Sequence, residues 1–300
     1  MQTGYTPCES AIIGSAMSIK KFQKILLSWY AKNRRDLPWR NTKDPYKILV
    51  SEIMLQQTQV SRVLPKYKEF LKAFPTLEAL AKSSDKKLLK VWSELGYWRR
   101  AKYLKETAKI ITKEYGGKFP KDPKILETFP GIGHYTARAL ACFAFGSTEA
   151  FLDTNIRRVY LHFFFPEKHH VSDKEILKVA QRATTNLCVR GKLKYHGITP
   201  REWHYALFDY GALVLKDKAI NKQSRHYTKQ SRFEGSFRSF RSKVVKFLLA
   251  ASRPAIPKEE IEQFLQKELH AAGSKHSAQE IIRSLVKNKL IKENVGKYSL

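Results

Sequence analysis

Two isolated carboxylates stand where an acid could do chemistry. Glu52 lies in SEIMLQQTQV, and the stretch that follows it, residues 55–59, is uncharged in a very basic chain. An uncharged stretch is expected where a segment contacts an uncharged part of a partner rather than an anionic part. Asp153 precedes TNIRRVYLHFF, at a predicted helix start. Each acid has a structural alternative, a surface glutamate for Glu52 and a helix N-cap for Asp153, but the presence of both favours catalysis.

A glycine-containing turn between two predicted helices offers a site for an anion. In FPGIGHYTARAL, Pro130 ends one helix, Gly131 and Gly133 permit a tight turn, and the next helix begins at once. The first backbone N–H groups of that helix, from His134 onward, are suited to bind an anion such as a phosphate group. An ordinary helix-turn-helix corner is the alternative.

The charge balance indicates a polyanionic partner. Lys and Arg number 56 against 27 Asp and Glu, which gives a net charge of +29. So large an excess of one sign repels itself unless a polyanion compensates it. We expect a nucleic acid as that partner, with an anionic membrane surface as the weaker alternative. The apolar stretch AIIGSAM is too short to span a bilayer, so we expect a cytoplasmic, nucleoid-associated protein.

Apolar periodicity predicts an almost entirely helical chain. Apolar residues between Phe22 and Tyr30 recur at the spacing of one buried helix face. Asp44-Pro45 and Asp122-Pro123 each combine an N-cap with a first-turn proline and predict helix starts. Further helices are predicted over residues 60–73, 85–93, 99–115, 134–145, 155–165, 173–187 and 201–215.

The last third of the chain changes character. Residues 217–253 hold 10 Lys and Arg against 2 acids, interleaved with aromatic residues. A solvated linker is one interpretation, and a segment that tracks DNA is the one we favour. Three amphipathic stretches follow, and Asn294-Val295-Gly296 predicts a hairpin tip between short strands. Helices followed by a small hairpin predict a winged-helix-like module.

Five motifs give the chain a family resemblance. LPWR, DPYKILVSEIMLQQTQV, ELGYWRRAKYL, FPGIGHYTARAL and LDTNIRRV occur in the order and spacing of the MutY-like adenine DNA glycosylases. These resemble endonuclease III and belong to the helix-hairpin-helix superfamily. The match covers about residues 20 to 215. It implies an all-α, two-lobed helix-hairpin-helix glycosylase fold over residues 18–216. Before this fold we expect a disordered extension over residues 1–17. A basic DNA-contacting linker over 217–237 and the winged-helix-like module over 238–300 then follow.

The resemblance implies a role for each candidate catalytic residue. Such enzymes extrude the target nucleotide and cut its N-glycosidic bond. Glu52 matches the acid that protonates the departing purine at N7, so we expect burial to raise its pKa. Asp153 matches the carboxylate that stabilises the sugar cation, and Tyr135 and Asn155 match residues that support it. Because Tyr135 replaces the Schiff-base lysine of endonuclease III, we expect a monofunctional glycosylase without lyase activity.

The same resemblance implies contacts to DNA bases. Leu55 and Gln57 match the wedge that fills the gap left by the flipped base, and Tyr97 matches an aromatic residue that intercalates near the opposite base. Trp39 and Arg40 match part of the base pocket, with plain core and surface charge as their alternatives. Tyr205 matches a position where the family often has Glu or Gln in contact with adenine.

Two departures from the family set further expectations. Family members usually carry four cysteines after the helix that corresponds to WHYALFDYGA, where they hold an iron–sulfur cluster. This chain has Cys8, Cys142 and Cys188, widely spaced, and none in that region. We therefore expect no cluster and no other metal or cofactor. Many family members also end in a domain that reads 8-oxoguanine, and the shorter tail here differs from it.

These observations predict a monomeric base excision repair enzyme that acts on double-stranded DNA containing a mismatch or a damaged base. Adenine opposite 8-oxoguanine or guanine is the expected target. A thymine or uracil glycosylase for G·T or G·U pairs is the alternative enzyme. A non-catalytic DNA-binding protein is the alternative from another class, although the presence of both Glu52 and Asp153 argues against it.

Overall fold

A computed structural model describes residues 17–189, 192–193, 198–229 and 232–300. The chain divides into two compact units. The first combines Met1–Asp36 with Gly146–Thr228, and the second combines Leu37–Phe145 with Lys229–Leu300. Apart from residue 17, the predicted N-terminal extension lies outside the described residues.

Most helices begin where the sequence predicts. The side chain of Asp44 accepts a hydrogen bond from the backbone N–H of Tyr46, and Asp122 accepts one from Lys124. The helices are α1 (Ile19–Asn33), α2 (Pro45–Leu55), α3 (Val60–Ala73), α4 (Leu77–Ala81), α5 (Asp85–Trp92), α6 (Arg99–Glu114), α7 (Pro123–Leu126), α8 (His134–Phe145), α9 (Thr154–Phe164), α10 (Asp173–Thr185), α11 (Pro200–Leu213), α12 (Phe237–Ala250), α13 (Lys258–Ala271) and α14 (Ala278–Lys287), with 3-10 helices at Pro38–Arg40 and Lys218–Gln223.

Strands are few and short. β1 (Cys188–Val189) pairs antiparallel with β2 (Lys192–Leu193). A second antiparallel sheet has the order β3 (Ile256–Pro257), β5 (Lys297–Ser299), β4 (Lys292–Asn294). The β4–β5 pairing confirms the predicted hairpin tip at Asn294-Val295-Gly296.

The core of the first unit is formed by α1, α9 and α11. The ring of Phe22 is fully buried and lies 5.5 Å from the rings of both Tyr160 and Trp203. Burying one side chain of this size stabilises a fold by roughly 1.5–3 kcal/mol. An ion pair ties the end of α1 to α11, because the Nε atom of the half-buried Arg35 lies 2.6 Å from Oδ1 of the fully buried Asp209.

The second unit joins the helices between residues 37 and 145 to the C-terminal segment. α2 packs against α3 and α8, and α12 packs against α5, α13 and α14. The indole Nε1 of Trp98 donates to Oγ of Ser242 at 3.0 Å, and Arg99 donates to Asn288. The C-terminal helices are therefore integral to this unit. Within the described ranges, no helix combines the length and the apolar character needed to cross a membrane.

Candidate active site

Glu52 is a buried carboxyl group within the second unit. It lies on α2 between Ser51 and Ile53, which are both buried, and only 6% of its own surface is exposed. The hydroxyl of Tyr135, in the first turn of α8, donates a hydrogen bond of 2.9 Å to its Oε2 atom. The interpretation of Glu52 as a surface glutamate is therefore wrong. A buried carboxyl group held by a directed donor is an arrangement suited to proton transfer.

Asp153 occupies the N-cap of α9 in the first unit. Its Oδ1 atom accepts a hydrogen bond of 2.6 Å from the backbone N–H of Ile156, and its Oδ2 atom accepts one of 3.0 Å from Nδ2 of Asn155. Capping is therefore present, and it fixes the orientation of the carboxylate at the positive end of the helix dipole. Burial raises the pKa of Asp153, and the bonds from Ile156 and Asn155 oppose that rise. The structure thus places the Asn155 amide against Asp153, and a role for Asn155 in catalysis remains a prediction.

Gly211, which sequence reasoning missed, sets the position of this helix start. A Cβ atom at Gly211, on α11, would lie 2.5 Å from the backbone carbonyl oxygen of Asn155. A side chain of any size would therefore push the first turn of α9 away. The glycine in FDYGA is the sequence signal for this contact, although the partner lies far away in the chain.

The turn before α8 depends on one of its two glycines. Gly131 has a left-handed backbone, with φ +77°, and a Cβ atom there would lie 2.8 Å from the Cβ atom of Tyr103. Gly133 has no positive φ, and a Cβ atom there would meet nothing within 4 Å. Of the two glycines, only Gly131 is required by its backbone conformation. The bare backbone at Gly133 leaves open space before α8.

The first residue of α8 is exposed. The side chain of His134 is 60% exposed, and its Nδ1 atom lies 3.3 Å from Oε1 of Glu127. The first N–H groups of a helix have no acceptor within the helix. Because Gly133 and His134 leave this end of α8 accessible, the predicted phosphate site at Gly131, Gly133 and His134 remains a prediction with suitable geometry.

Arg100 organises the turn that follows Glu52, and sequence reasoning missed it. Its Nη1 atom donates to the carbonyl oxygens of Ile53 and Met54, both at 2.9 Å, and also to that of Gln56. Burial lowers its pKa to about 10, so the guanidinium keeps its charge at neutral pH. The Arg-Arg pair in GYWRR is only a weak sequence signal for this role of Arg100, because only the fold shows that the second arginine is buried.

The predicted wedge residues lie on this turn. Leu55 is the last residue of α2 and is half-buried, and Gln57 is exposed. The backbone of Gln57 is left-handed, with φ 55°. Non-glycine residues rarely adopt this conformation, and those that do cluster at functional sites.

Tyr97 shares the unusual backbone of Gln57. Its φ is 45° and its ring is 37% exposed. The guanidinium carbons of Arg100 and Arg238 lie 5.2 Å and 5.9 Å from the ring centroid, and Nη1 of Arg238 donates to the hydroxyl at 2.8 Å. An exposed ring held in this way could stack on a base.

The three other predicted base contacts lie deeper in their units. Trp39 is 4% exposed and packs edge-on against Tyr67 at 5.4 Å, as a core residue does. Arg40 follows it at the end of the 3-10 helix and is half-buried. Tyr205 is 4% exposed on α11, with the guanidinium carbon of Arg201 5.5 Å from its ring centroid. Base contact by these residues remains a prediction.

The region where the resemblance places an iron–sulfur cluster does not fit that group. Such clusters are held by cysteine thiolates, and residues 213–229 contain no cysteine. The described residues also hold no group of three or more His, Cys, Asp or Glu side chains placed to share a metal ion. In this region the buried Arg158 donates through Nη1 to the carbonyl oxygens of Gly211 and Leu215, at 2.8 and 3.0 Å. A guanidinium thus ties the end of α11 to the segment that follows.

Comparison with known proteins identifies the family. The family described as HhH-GPD superfamily base excision DNA repair protein matches residues 50–186. An adenine DNA glycosylase of Mycolicibacterium smegmatis is 51% identical over 135 residues, which are 45% of this chain and 46% of that protein. An adenine DNA glycosylase of Buchnera aphidicola is 37% identical over 199 residues, which are 66% of this chain and 54% of that protein. The chain thus spans about half the length of these curated relatives.

One solved structure is matched over most of its own chain. The structure of a thermostable thymine-DNA glycosylase is 30% identical, with a TM-score of 0.57, and the alignment covers 66% of this chain and 88% of that one. Its shared fold agrees with the predominantly helical architecture described above. The chain is a member of the HhH-GPD superfamily of base excision DNA repair proteins.

Proposed function

We propose that the protein is a monofunctional DNA glycosylase that extrudes a mispaired base from double-stranded DNA and hydrolyses its N-glycosidic bond. The proposed substrate is adenine opposite 8-oxoguanine or guanine. The observation that carries the proposal is the buried carboxyl of Glu52, held by the hydroxyl of Tyr135. Similarity to adenine DNA glycosylases supports it, as does the family match over residues 50–186, which include both residues.

We assign a different catalytic role to each of the two carboxyl groups, Glu52 and Asp153. Glu52 donates a proton to N7 of adenine, because a neutral base departs more readily than an anion. Burial supports this task, since it favours the protonated form of a carboxyl group. Asp153 stabilises the positive charge that develops on the sugar, which requires the carboxylate form. The bonds from Ile156 and Asn155 support this task, because they stabilise the ionised form.

The side chain at position 135 supports a simple hydrolase. A lyase reaction needs an amine that forms a Schiff base with the sugar, and a phenol cannot form one. Strand scission is therefore expected only after hot alkali treatment of the product. We also propose that the enzyme acts as a monomer, without an iron–sulfur cluster, on nucleoid DNA in the cytoplasm.

The proposal is tested by substituting each carboxyl group. Asp153→Asn and Glu52→Gln should each abolish base release while duplex binding stays close to that of the wild type. Asp122→Asn is the matched control, since Asp122 also caps a helix but is exposed and has no assigned role. Base release by either site variant at the wild-type rate would refute the catalytic assignment, provided that its unfolding transition matches that of the wild type.

A thymine mismatch glycosylase is the second candidate. It is favoured by the 30% identity to a thymine-DNA glycosylase over 88% of that protein's chain. Protonation at N7 has no counterpart on thymine, so the proton-donor role of Glu52 argues for adenine. Tyr205 leaves this choice open to experiment, because its phenol could pack against either base. Release of thymine from G·T duplexes with adenine left intact would select the second candidate.

A further inference from the structure

The tip of the C-terminal hairpin presents an apolar side chain to solvent. Val295 and Gly296 form a two-residue turn between β4 and β5, since Asn294 pairs with Lys297. Val295 is 93% exposed, which is the largest exposed fraction of any large hydrophobic residue that the structure describes. Single exposed apolar residues are normal on protein surfaces, so exposure alone assigns no role to this valine.

The backbone of this turn makes valine an unfavourable choice. The φ angles are 45° at Val295 and 70° at Gly296. A two-residue hairpin turn with two positive φ angles favours Asn followed by Gly, whereas a β-branched side chain crowds its own backbone in this conformation. Neither burial nor the turn therefore accounts for valine at this tip. Residues held in such a conformation cluster at binding and catalytic sites, so we looked for a partner of the tip.

One face of the hairpin is basic. Side chains alternate between the two faces of a strand, and residues paired across two strands share a face. The pairing of Asn294 with Lys297, two positions beyond Lys292, therefore places both lysines on one face with the asparagine. The opposite face carries Glu293, the acid of this hairpin, across from the buried Tyr298. The basic face is therefore the one turned away from the core.

One carboxylate approaches this basic face from another helix. Asp85, at the start of α5, lies 3.9 Å from Nζ of Lys292, and 2.5 and 2.6 Å from Nζ of Lys102 and Lys105. Three lysines around one aspartate leave a net positive charge. The side chain of Lys292 also stays 68% exposed. The charge beside the hairpin therefore suits an anionic partner.

The hairpin begins close to the turns for which DNA contacts are predicted. Leu290 lines the same cleft of the second unit as Gln57 and Tyr97. Val295 follows Leu290 by five positions, and five residues of extended chain span at most about 18 Å. Successive base pairs of a duplex lie about 3.4 Å apart along its axis. The reach of the tip from this cleft therefore corresponds to about five base pairs.

We propose that the hairpin tip contacts the duplex that flanks the lesion, with Val295 in a DNA groove and Lys292 and Lys297 on the adjacent phosphates. Proteins that bind a duplex without reading its sequence combine apolar side chains placed in a groove with cations beside them. The contact is an anchor on the intact flank, separate from the base that is extruded and from the base opposite it. This inference rests on the proposed function, because it takes duplex DNA as the substrate.

The test measures DNA binding by the full chain, so it does not depend on base release. The probes are duplexes that carry a tetrahydrofuran abasic analogue, with flanks of about twelve base pairs, or with one flank shortened to about three, which is less than the reach of the tip. With both flanks long, Val295→Asn should bind about tenfold more weakly than the wild type, the effect of exposing much of one buried valine side chain. When the flank under the tip is short, the two proteins should bind equally.

Stability separates this effect from a folding defect. Val295→Asn should unfold at a higher denaturant concentration than the wild type, because asparagine suits the turn better than valine. The variant is therefore expected to gain stability and lose affinity together. Val295→Ile keeps an apolar, β-branched side chain, so it should retain the wild-type affinity for long flanks without a gain in stability.

A lysine variant tests the phosphate contact. Lys297→Gln should reduce the slope of log affinity against log salt by about 0.9 on duplexes with long flanks. Lys267→Gln is the matched control, since Lys267 is an exposed residue of α13 outside the hairpin. It should leave the slope unchanged.

Two outcomes would overturn the inference. One is that Val295→Asn binds as tightly as the wild type to duplexes with long flanks. The other is an equal loss of affinity whichever flank is shortened, which would place the tip away from both flanks. A failure of base release by the wild type in a separate assay would refute the proposed function, but the dependence of binding on flank length would still test this contact.

Discussion

The hydroxyl of Tyr135 donates a hydrogen bond of 2.9 Å to Oε2 of Glu52, across 83 positions of the sequence. This contact joins the glycine turn before α8 to the helix that carries the candidate proton donor. It fixes one oxygen of a buried carboxyl group. The first turn of α8 therefore presents the exposed His134 to solvent and donates a hydrogen bond to Glu52 through Tyr135.

Tyr135→Phe should slow base release about tenfold while the fold stays intact. The variant leaves a buried carboxyl group without one donor, and a hydrogen bond to a charged or polar partner is worth about 1–3 kcal/mol. Single-turnover kinetics with saturating enzyme measures this effect. Tyr115→Phe is the control, because Tyr115 packs edge-on against Phe129 through its ring, which phenylalanine retains. Equal rates for Tyr135→Phe and the wild type would show that the contact does not serve catalysis.

The pH dependence of base release should reflect Asp153. Burial raises its pKa, and stabilisation of the sugar cation needs the ionised form. The contribution of Asp153 to the rate is therefore full above the pKa of Asp153 and falls as the pH drops through it, at a higher pH than an ordinary aspartate would give. Asn155→Ala removes a hydrogen bond that favours the ionised form of Asp153, so the pKa of Asp153 should rise further. On acidification, base release by this variant should therefore be lost at a higher pH than in the wild type. The role of Asp153 would be contradicted if Asn155→Ala lost base release at the same pH as the wild type, or at a lower pH.

Gly211→Ala should destabilise the protein and slow base release together. The added Cβ atom would meet the Asn155 carbonyl oxygen at 2.5 Å, and overpacking of this kind costs about 1–3 kcal/mol. The first turn of α9 must then shift, and it carries both Asp153 and Asn155. Chemical denaturation and single-turnover kinetics measure the two effects.

Gly133→Ala is the matched control for stability. It adds the same methyl group at a position with ordinary φ and open space, so the unfolding free energy should stay unchanged. If Gly211→Ala also left the free energy of unfolding unchanged, the close approach of α11 to Asn155 would not be rigid.

Local sequence signals predicted the helices but not the contacts between them. Asp44, Asp122 and Asp153 each precede a helix and cap it, because capping depends only on the next few residues. Local sequence signals did not predict the burial of Glu52, because this residue lies on the flank of the apolar face of its helix. The roles of Arg100 and Gly211 were missed for the same reason. Each depends on a partner more than forty positions away, which only the tertiary fold brings near.

Purified protein should be colourless and should fold without iron. Three widely spaced cysteines cannot supply the four thiolate ligands of an iron–sulfur cluster. Where the cluster-bearing segment would begin, Arg158 donates hydrogen bonds to the carbonyl oxygens of Gly211 and Leu215. Metal analysis and the visible absorption spectrum of protein purified under anaerobic conditions test this. Stoichiometric iron with charge-transfer absorption would refute it, as would loss of the fold on treatment with a chelator.

The most direct test of the central claim is base release by the full chain from a panel of duplexes with A, T, U or hypoxanthine opposite G, 8-oxoguanine, C or T. We predict that adenine opposite 8-oxoguanine or guanine is released fastest, because protonation at N7 by Glu52 assists a purine. Strand scission should appear only after hot alkali, because Tyr135 offers no amine. Fast release of thymine from G·T with adenine untouched would contradict the substrate, and tight binding of every duplex without release of any base would contradict catalysis itself.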